Sequence, residues 1–263
     1  MVINNYQGKK FSNKKVISVD DNLVVEQALQ ISINEKPFTI TMRTPGNDNE
    51  LIRGLLYSED IYKGNDNLEI KLTENEEKVI TEAQINIDEN LLRTGYSNSR
   101  SFLSVASCGI CGKTELDEID TSCTIEDTNK LDIKLLYRMF ELMKEGQATF
   151  KLSGGSHAAS AFTIDGTLIC TMEDIGRHNA VDKVIGSLVN TNQLKEAKCL
   201  TVSGRISYEI ISKAFAAKIP ILAAVSAPSS LAVDFAKELG ITLLGFCREN
   251  KATCYSHPQR LIY

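Results

Sequence analysis

Residues 199–246 read CLTVSGRISYEIISKAFAAKIPILAAVSAPSSLAVDFAKELGITLLGF, and this stretch decides the fold class. Cys199-Leu200-Thr201-Val202, Ile221-Leu222-Ala223-Ala224-Val225 and Ile241-Thr242-Leu243-Leu244-Gly245-Phe246 are short, nearly continuous apolar runs. Amphipathic segments from Ser207 to Lys218 and from Ser229 to Leu239 join them, the second stopped by Gly240. Apolar strands alternating with helices predict a parallel or mostly parallel sheet covered on both faces. Ligands of such sheets sit beyond the carboxyl ends of the strands. Those ends are Ser203-Gly204-Arg205, Ser226-Ala227-Pro228 and Phe246-Cys247-Arg248.

Working back from this region, Leu131 to Lys144 is a helix with a stripe of Leu135, Leu136, Met139, Leu142 and Met143, and Gly146 ends it. Phe150 and Leu152 alternate like a short strand running into Gly154-Gly155. Asp165-Gly166 between two apolar triplets predicts a hairpin, and a helix extends to about Val189. Near the start, Phe38, Ile40 and Met42 alternate with polar neighbours, Asp48 to Ser58 is helical, and two further strands run through Leu68–Leu72 and Val79–Ile87. Arg93 to Thr128 is Gly- and Ser-rich with one short apolar stretch, and a tract of that length is more often functional than merely linking. The expected division is a strand-rich region 1–92 packing on the main domain, a mobile loop 93–128, and an α/β ligand-binding domain 129–263.

The 263 residues carry 29 basic and 34 acidic side chains, a net charge of -5, which argues against a general nucleic-acid binder. No apolar run approaches the roughly 20 residues of a membrane span. Met1 to Lys15 has no signal-peptide core, so a cytoplasmic protein is expected, without membrane insertion. The seven cysteines are odd in number and mostly scattered, unlike an exported disulfide scaffold. Cys170, Cys199 and Cys247 fall in apolar segments and read as buried.

Cys108 and Cys111 alone have a spacing that suggests cooperation, and they lie in the Gly/Ser tract. A Cys-x-x-Cys pair serves redox chemistry, nucleophilic chemistry or metal binding. A structural zinc needs four ligands, and His157, His178 and His257 are far off in sequence. Zinc held by Cys108, Cys111, Cys123 and one His stays open, as does a dithiol oxidoreductase. A thiol in a mobile tract also suits a persulfide carrier, with the second cysteine releasing the sulfur. Three further clusters supply polar donors. Gly154-Gly155-Ser156-His157 is a turn whose amides could hold phosphate. Glu173 to Lys183 concentrates Asp174, Arg177, His178, Asn179 and Asp182, with Asp182 one helical turn from His178 and so able to fix its tautomer. Ser203, Arg205 and Ser226 stand at strand ends. Phe246 stacks on a planar ring or completes the core.

Taken in order, these motifs resemble the formate dehydrogenase accessory sulfurtransferases, the FdhD/NarQ family, over about residues 35 to 250. The resemblance implies a carrier that takes sulfur from a cysteine desulfurase as a persulfide on Cys108, with Cys111 as the second thiol. It implies delivery to the molybdenum bis-molybdopterin guanine dinucleotide cofactor of formate dehydrogenase, with GDP or GTP binding as a mimic. The family's cofactor segment falls on Gly245, Phe246, Cys247, Arg248, Glu249 and Asn250. A larger domain like the cytidine deaminase fold, three-layered with a mixed sheet, and a homodimer are also implied. The chain lacks the zinc-deaminase signature, so deamination is not expected, nor an intrinsic metal.

Overall fold

The computed structural model describes residues 2–12, 15–64, 68–98 and 124–263. β1 (Ile3–Ser12) and β2 (Lys15–Val24) form an antiparallel hairpin, paired from Ile3↔Val24 to Ser12↔Lys15. β3 (Gln27–Ile33), β4 (Lys36–Arg43), α1 (Asp48–Ser58), β5 (Ile70–Glu74) and β6 (Ile80–Ile85) follow, and a short α2 covers Thr94–Asn98. The four strands order as β4-β3-β6-β5, with only β3 and β6 parallel. Alternation puts Leu29, Ile31 and Ile33 of β3 on one face, where they bury against Leu51, Ile52 and Leu56 of α1.

The second unit contains β7 (Leu131–Asp132), α3 (Ile133–Gly146), α4 (Ala148–Ser153), β8 (His157–Phe162), β9 (Leu168–Asp174), α5 (Arg177–Asn190), β10 (Cys199–Val202), α6 (Tyr208–Ala216), β11 (Ile221–Ala224), α7 (Ser230–Glu238), β12 (Thr242–Arg248), β13 (Lys251–Ser256) and β14 (Leu261–Ile262). Its six-stranded sheet has the order β13-β12-β11-β10-β8-β9. β10, β11 and β12 are mutually parallel, as their apolar runs predict, and antiparallel neighbours close both sides. Leu200, Val202, Leu222, Ala224 and Leu243 pack under α5, α6 and α7. Cys199, Ile221, Ala223 and Leu244 pack with Leu136 and Met139 of α3 on the other face. The fold is therefore α/β, a mixed sheet between two helical layers, with a strand-rich N-terminal region.

The two units meet along α1 and α5. A Cβ on Gly54 would lie 1.8 Å from the Asp182 carbonyl oxygen, and one on Gly186 would lie 1.8 Å from the Glu50 carbonyl oxygen. The two helix backbones touch where each lacks a side chain. Beside this crossing, Lys213 Nζ of α6 donates to Asp182 Oδ1 at 2.8 Å, to Ser58 Oγ at 3.0 Å and to Glu59 Oε1 at 3.0 Å, linking three helices.

Two local expectations are corrected. Phe150 and Leu152 lie in helix α4, because the Glu173 carboxylate accepts from the amides of Thr149 (2.7 Å) and Phe150 (2.8 Å) and caps the helix start. Their alternation spans too few residues to distinguish a strand from a helix with an exposed face. The expected loop is structured at its described ends: Thr94–Asn98 form α2 with Tyr96 in the N-terminal core, and residues 124–128 are tied to the end of α7 and to Arg260. Ile125 N donates to Leu239 O at 2.9 Å, and Arg260 donates to the carbonyls of Ile125 and Asp127 at 2.7 Å and 2.8 Å.

Gly54→Ala and Gly186→Ala are each expected to lower unfolding free energy by about 2 kcal/mol or more, because backbone must move to admit the methyl group. Gly8→Ala in the hairpin, whose added Cβ would meet only Val19 at 3.7 Å, should change it by less than about 0.5 kcal/mol. Urea denaturation midpoints check both.

Candidate functional site

The carboxyl ends of the parallel strands form a continuous crest. Ser203 N, just past β10, donates to Ala158 O at 2.9 Å, and Ala158 N returns a bond to Ser203 Oγ at 2.9 Å, which fixes the start of β8 beside the end of β10. His157 pairs with Asp174 at the end of β9, and α5 begins three residues later. On the other side, Ile206 N donates to Ala227 O at 3.2 Å and Phe246 N to Ser226 O at 3.1 Å. The sheet therefore gathers His157, Asp174, Arg177, Ser203, Arg205, Ser226 and Phe246 along one edge, the placement the strand order predicts for a ligand.

These residues divide into scaffold and surface. Asp174 is fully buried. Its Oδ2 accepts from Lys183 Nζ at 2.8 Å and Thr44 N at 3.1 Å, and its Oδ1 from Gly176 N at 2.8 Å and Asn179 Nδ2 at 3.0 Å. Asn179 Nδ2 also donates to Met42 O at 2.8 Å. Asp174 and Asn179 thus shape the crest from beneath. Asp182 does not orient His178, as its spacing suggested, because it is committed to Lys213 and Ser58. The His178 Nε2 instead meets Ser207 Oγ at 3.1 Å and lies 3.8 Å from Glu209. Ser207 and Glu209 were not singled out in the sequence, although both follow the Ser203-Gly204-Arg205 turn.

Gly154 is the left-handed C-cap of α4, with φ 66°, and its N–H closes the helix on Phe150 O at 2.7 Å. That role accounts for this glycine without a ligand. Ser156 donates to Glu173 Oε1 at 2.7 Å, so Glu173 holds the whole turn in front of His157. Gly155 faces β2, where a Cβ would stand 2.9 Å from Val24 Cγ1.

Phe246 has φ 54°, an uncommon backbone for a bulky residue, and the residue is 40% exposed. Gly245 permits the approach beneath it, since a Cβ there would lie 2.8 Å from Pro228 Cδ. Cys247, expected in the cofactor segment, turns its side chain into the core. Arg248, Glu249 and Asn250 are exposed at the bulged turn into β13.

Around His157 the field is positive. Burial, the Arg177 guanidinium and Arg205 together hold its imidazole below the usual histidine range, against the opposing pull of Asp174. A Cβ on Gly204 would lie 3.2 Å from His157 Nδ1 and 3.6 Å from Arg177 Cβ, so glycine lets these three groups converge. Arg177 Nε is buried with no hydrogen-bond partner among the described residues.

The described thiols are poor nucleophiles. Burial raises the Cys199, Cys170 and Cys254 thiols, and pushes Cys247 up to about 12. Cys108, Cys111 and Cys123 lie outside the described residues. Among the described residues no group of three or more His, Cys, Asp or Glu side chains is placed to hold a metal ion, and no helix is long and apolar enough to cross a membrane.

The chain is an α/β protein with a cationic, glycine-lined crest at its strand ends, the position at which sheets of this class take ligands. Comparison with known proteins specifies the class. The model of the FdhD/NarQ family matches residues 24–262, and the chain belongs to that family. The sulfur carrier protein FdhD of Sulfolobus acidocaldarius is 41% identical over 245 residues, covering 93% of this chain and 92% of that one. The sulfur carrier protein FdhD of Nocardia farcinica is 42% identical over 246 residues, covering 92% and 88%. A crystal structure of a putative formate dehydrogenase accessory protein from Desulfotalea psychrophila superposes with a TM-score of 0.78 over the full length of both chains, at 18% identity, which establishes a shared fold.

The His157 imidazole is expected to titrate below a free histidine in a proton NMR pH series. Arg205→Gln should move its midpoint upward, because one of the cations opposing its protonation is removed. An unshifted midpoint in both proteins would contradict the field described.

Proposed function

We propose that this protein is a sulfur carrier. It accepts sulfur from a cysteine desulfurase as a persulfide on Cys108 and delivers it to molybdenum bis-molybdopterin guanine dinucleotide, the cofactor that formate dehydrogenase requires. The observation that carries the reading is the match of nearly the whole chain to relatives named sulfur carrier proteins. Two structural features support it. The described thiols are masked by burial, which leaves the sulfur chemistry to the Cys108 segment. The crest supplies cationic and backbone donors suited to a dinucleotide-like cofactor.

In the loading step the Cys108 thiolate attacks the outer sulfur of the desulfurase persulfide. A new S–S bond forms on Cys108 and the desulfurase cysteine leaves as a thiolate. In the delivery step the Cys111 thiolate attacks the inner sulfur, forming a Cys108–Cys111 disulfide and releasing hydrosulfide to the metal of the cofactor. A dithiol reductant then restores the pair. The cofactor is the substrate of this sequence. Its guanine end lies along Ser203, Ser226 and the Gly245–Asn250 segment in this reading, with Phe246 against a planar ring. A cytoplasmic homodimer would present two such crests to the two guanine halves, and the larger layer would correspond to a cytidine-deaminase-like core.

Incubation with a cysteine desulfurase and cysteine is expected to add one sulfur to Cys108, seen by peptide mass spectrometry with alkylation to distinguish persulfide from oxidation. Absence of the adduct on both Cys108 and Cys111 overturns the carrier. Reversible Cys108–Cys111 disulfide formation without an adduct would instead indicate an oxidoreductase, and alkylation blocked until chelator is added would indicate a zinc site. Calorimetry should show GDP binding at least about tenfold tighter than ADP, the discrimination expected when a site hydrogen-bonds one base edge and leaves donors unpaired with the other.

A further inference from the structure

The β1–β2 hairpin is the element that its own subunit covers least. Its ten cross-strand pairs run without a bulge from Ile3↔Val24 to Ser12↔Lys15, and among the described residues no third strand joins them. Every residue of β1 after Ile3 is exposed, and β2 is half-buried only at Val19 and Val24. The base leans on α4, where Val24 faces Gly155. A two-stranded sheet is marginal in water until further strands or a helix cover it. Apolar side chains nevertheless stand exposed along this one. The register puts Tyr6, Ile17 and Leu23 on one face and the directly opposed Phe11 and Val16 on the other.

Two features indicate the occupant. The first is a free strand edge. Val25 N donates to Val2 O at 2.9 Å, which makes Val2 a position bonded across the hairpin. Bonded and outward-facing positions alternate in an antiparallel pair. Tyr6, Gly8 and Lys10 therefore bond to β2, while Asn5, Gln7 and Lys9 turn their N–H and C=O groups away from it. β2 is the strand more closely covered by α4, so the β1 edge is the more open, and no proline or bulge protects it. The second feature is charge. Lys9, Lys10 and Lys15 lie in the distal half of the hairpin, whereas Asp20 and Asp21 lie in the proximal half, opposite Gln7 and Tyr6. A copy of this pattern added in the same direction sets lysine beside lysine. A copy added antiparallel sets distal lysines beside proximal aspartates. The surface is thus complementary to itself about a two-fold axis.

We infer that the β1 strands of two copies of this chain pair edge to edge and antiparallel, joining two hairpins into one four-stranded sheet. The new bonds run between the outward N–H and C=O groups around Gln7 and Lys9. The pairing also joins the apolar faces of the two hairpins and brings Lys10 of each copy within reach of Asp21 of the other. Within one hairpin these two residues stand four positions apart along the strands, about 13 Å, so they have no contact to lose there. The inference rests on the homodimer of the proposed function and names the surface that forms it.

Analytical ultracentrifugation of the full chain over a concentration series, with amide exchange followed by NMR, tests it. The wild type is expected to dimerise, and the Gln7 and Lys9 amides should gain protection in step with the dimer fraction. Gln7→Pro removes an outward donor from each copy and none of the bonds to β2. It should weaken the dimer by about tenfold or more, the effect of losing two hydrogen bonds. Asp21→Lys should weaken it about threefold or more by opposing two like charges. Lys10→Asp added to Asp21→Lys should recover most of that loss. The charge swap leaves the backbone unchanged and so decides the matter even where proline disturbs the hairpin. A monomer at every concentration overturns the inference, as does a dimer in which the Gln7 and Lys9 amides exchange freely. A dimerisation constant within twofold of the wild type in both Gln7→Pro and Asp21→Lys also overturns it. The persulfide assay on Cys108 is a separate readout. A hairpin-dependent dimer without a persulfide leaves the interface standing and removes the carrier, and the converse removes the interface alone.

Discussion

The buried carboxylate of Asp174 is the constraint on which the crest depends. One oxygen holds Lys183 and the amide of Thr44, the other holds the amide of Gly176 and the side chain of Asn179. A carboxylate removed from water is costly unless each lone pair is engaged, and here all are. The consequence is geometric. The last residue of β9, the first turn of α5 and the connector after β4 are locked to one another, although Thr44 lies 130 residues from Asp174 in sequence. The Gly54–Gly186 crossing sets the distance between α1 and α5. Asp174 sets where α5 starts. Together they make the N-terminal strands part of the mounting for the crest.

This arrangement explains why cationic side chains can stand at the positive end of a helix. Arg177 and His178 sit there because the turn before them is fixed from beneath by Asp174, and His178 is itself tied to Ser207 at the start of α6. Glu173 and Asp174, adjacent in sequence, point to opposite tasks, since successive strand residues face opposite ways. Glu173 caps α4 and fixes Ser156, while Asp174 anchors α5. The acidic pair thus organises two turns on either side of His157, and both carboxylates are occupied in doing so. The open charge of the crest is left positive.

The centre of the sheet was legible in the sequence because its three parallel strands are short apolar runs between amphipathic helices, but the sheet is not mostly parallel: β8, β9 and β13 join it through antiparallel pairings. The location of the crest followed from strand direction alone. What could not be read were the roles of single polar residues. The Glu173–Lys183 block read as a concentration of polar donors, yet Asp174, Asn179, Asp182 and Lys183 are bonded inward to Thr44, Met42, Ser58 and Lys213. Those partners come from distant segments, and local spacing carries no trace of them. The i+4 relation of His178 and Asp182 was correct as helix geometry and wrong as chemistry, because α6 supplies a cation to one and a hydroxyl near the other. Phe150 and Leu152 failed for a different reason. The cap that makes their segment helical lies on another strand.

The distribution of cysteines completes the physical argument. A protein that carries reactive sulfur benefits from having few competing thiolates, since exchange between them would scatter the sulfur. Cys199 and Cys247 lie in the core on the α3 side of the sheet, and Cys170 and Cys254 are partly covered. Desolvation disfavours the anion of each, so at neutral pH they remain protonated and slow to exchange. Cys247 makes the point most directly. It is bracketed by exposed Phe246 and Arg248 at the edge of the crest, but its side chain is buried in the core. The irregularity of β12 between Gly245 and Arg248, with Phe246 in the left-handed region, exposes that residue while the neighbouring sulfur stays covered.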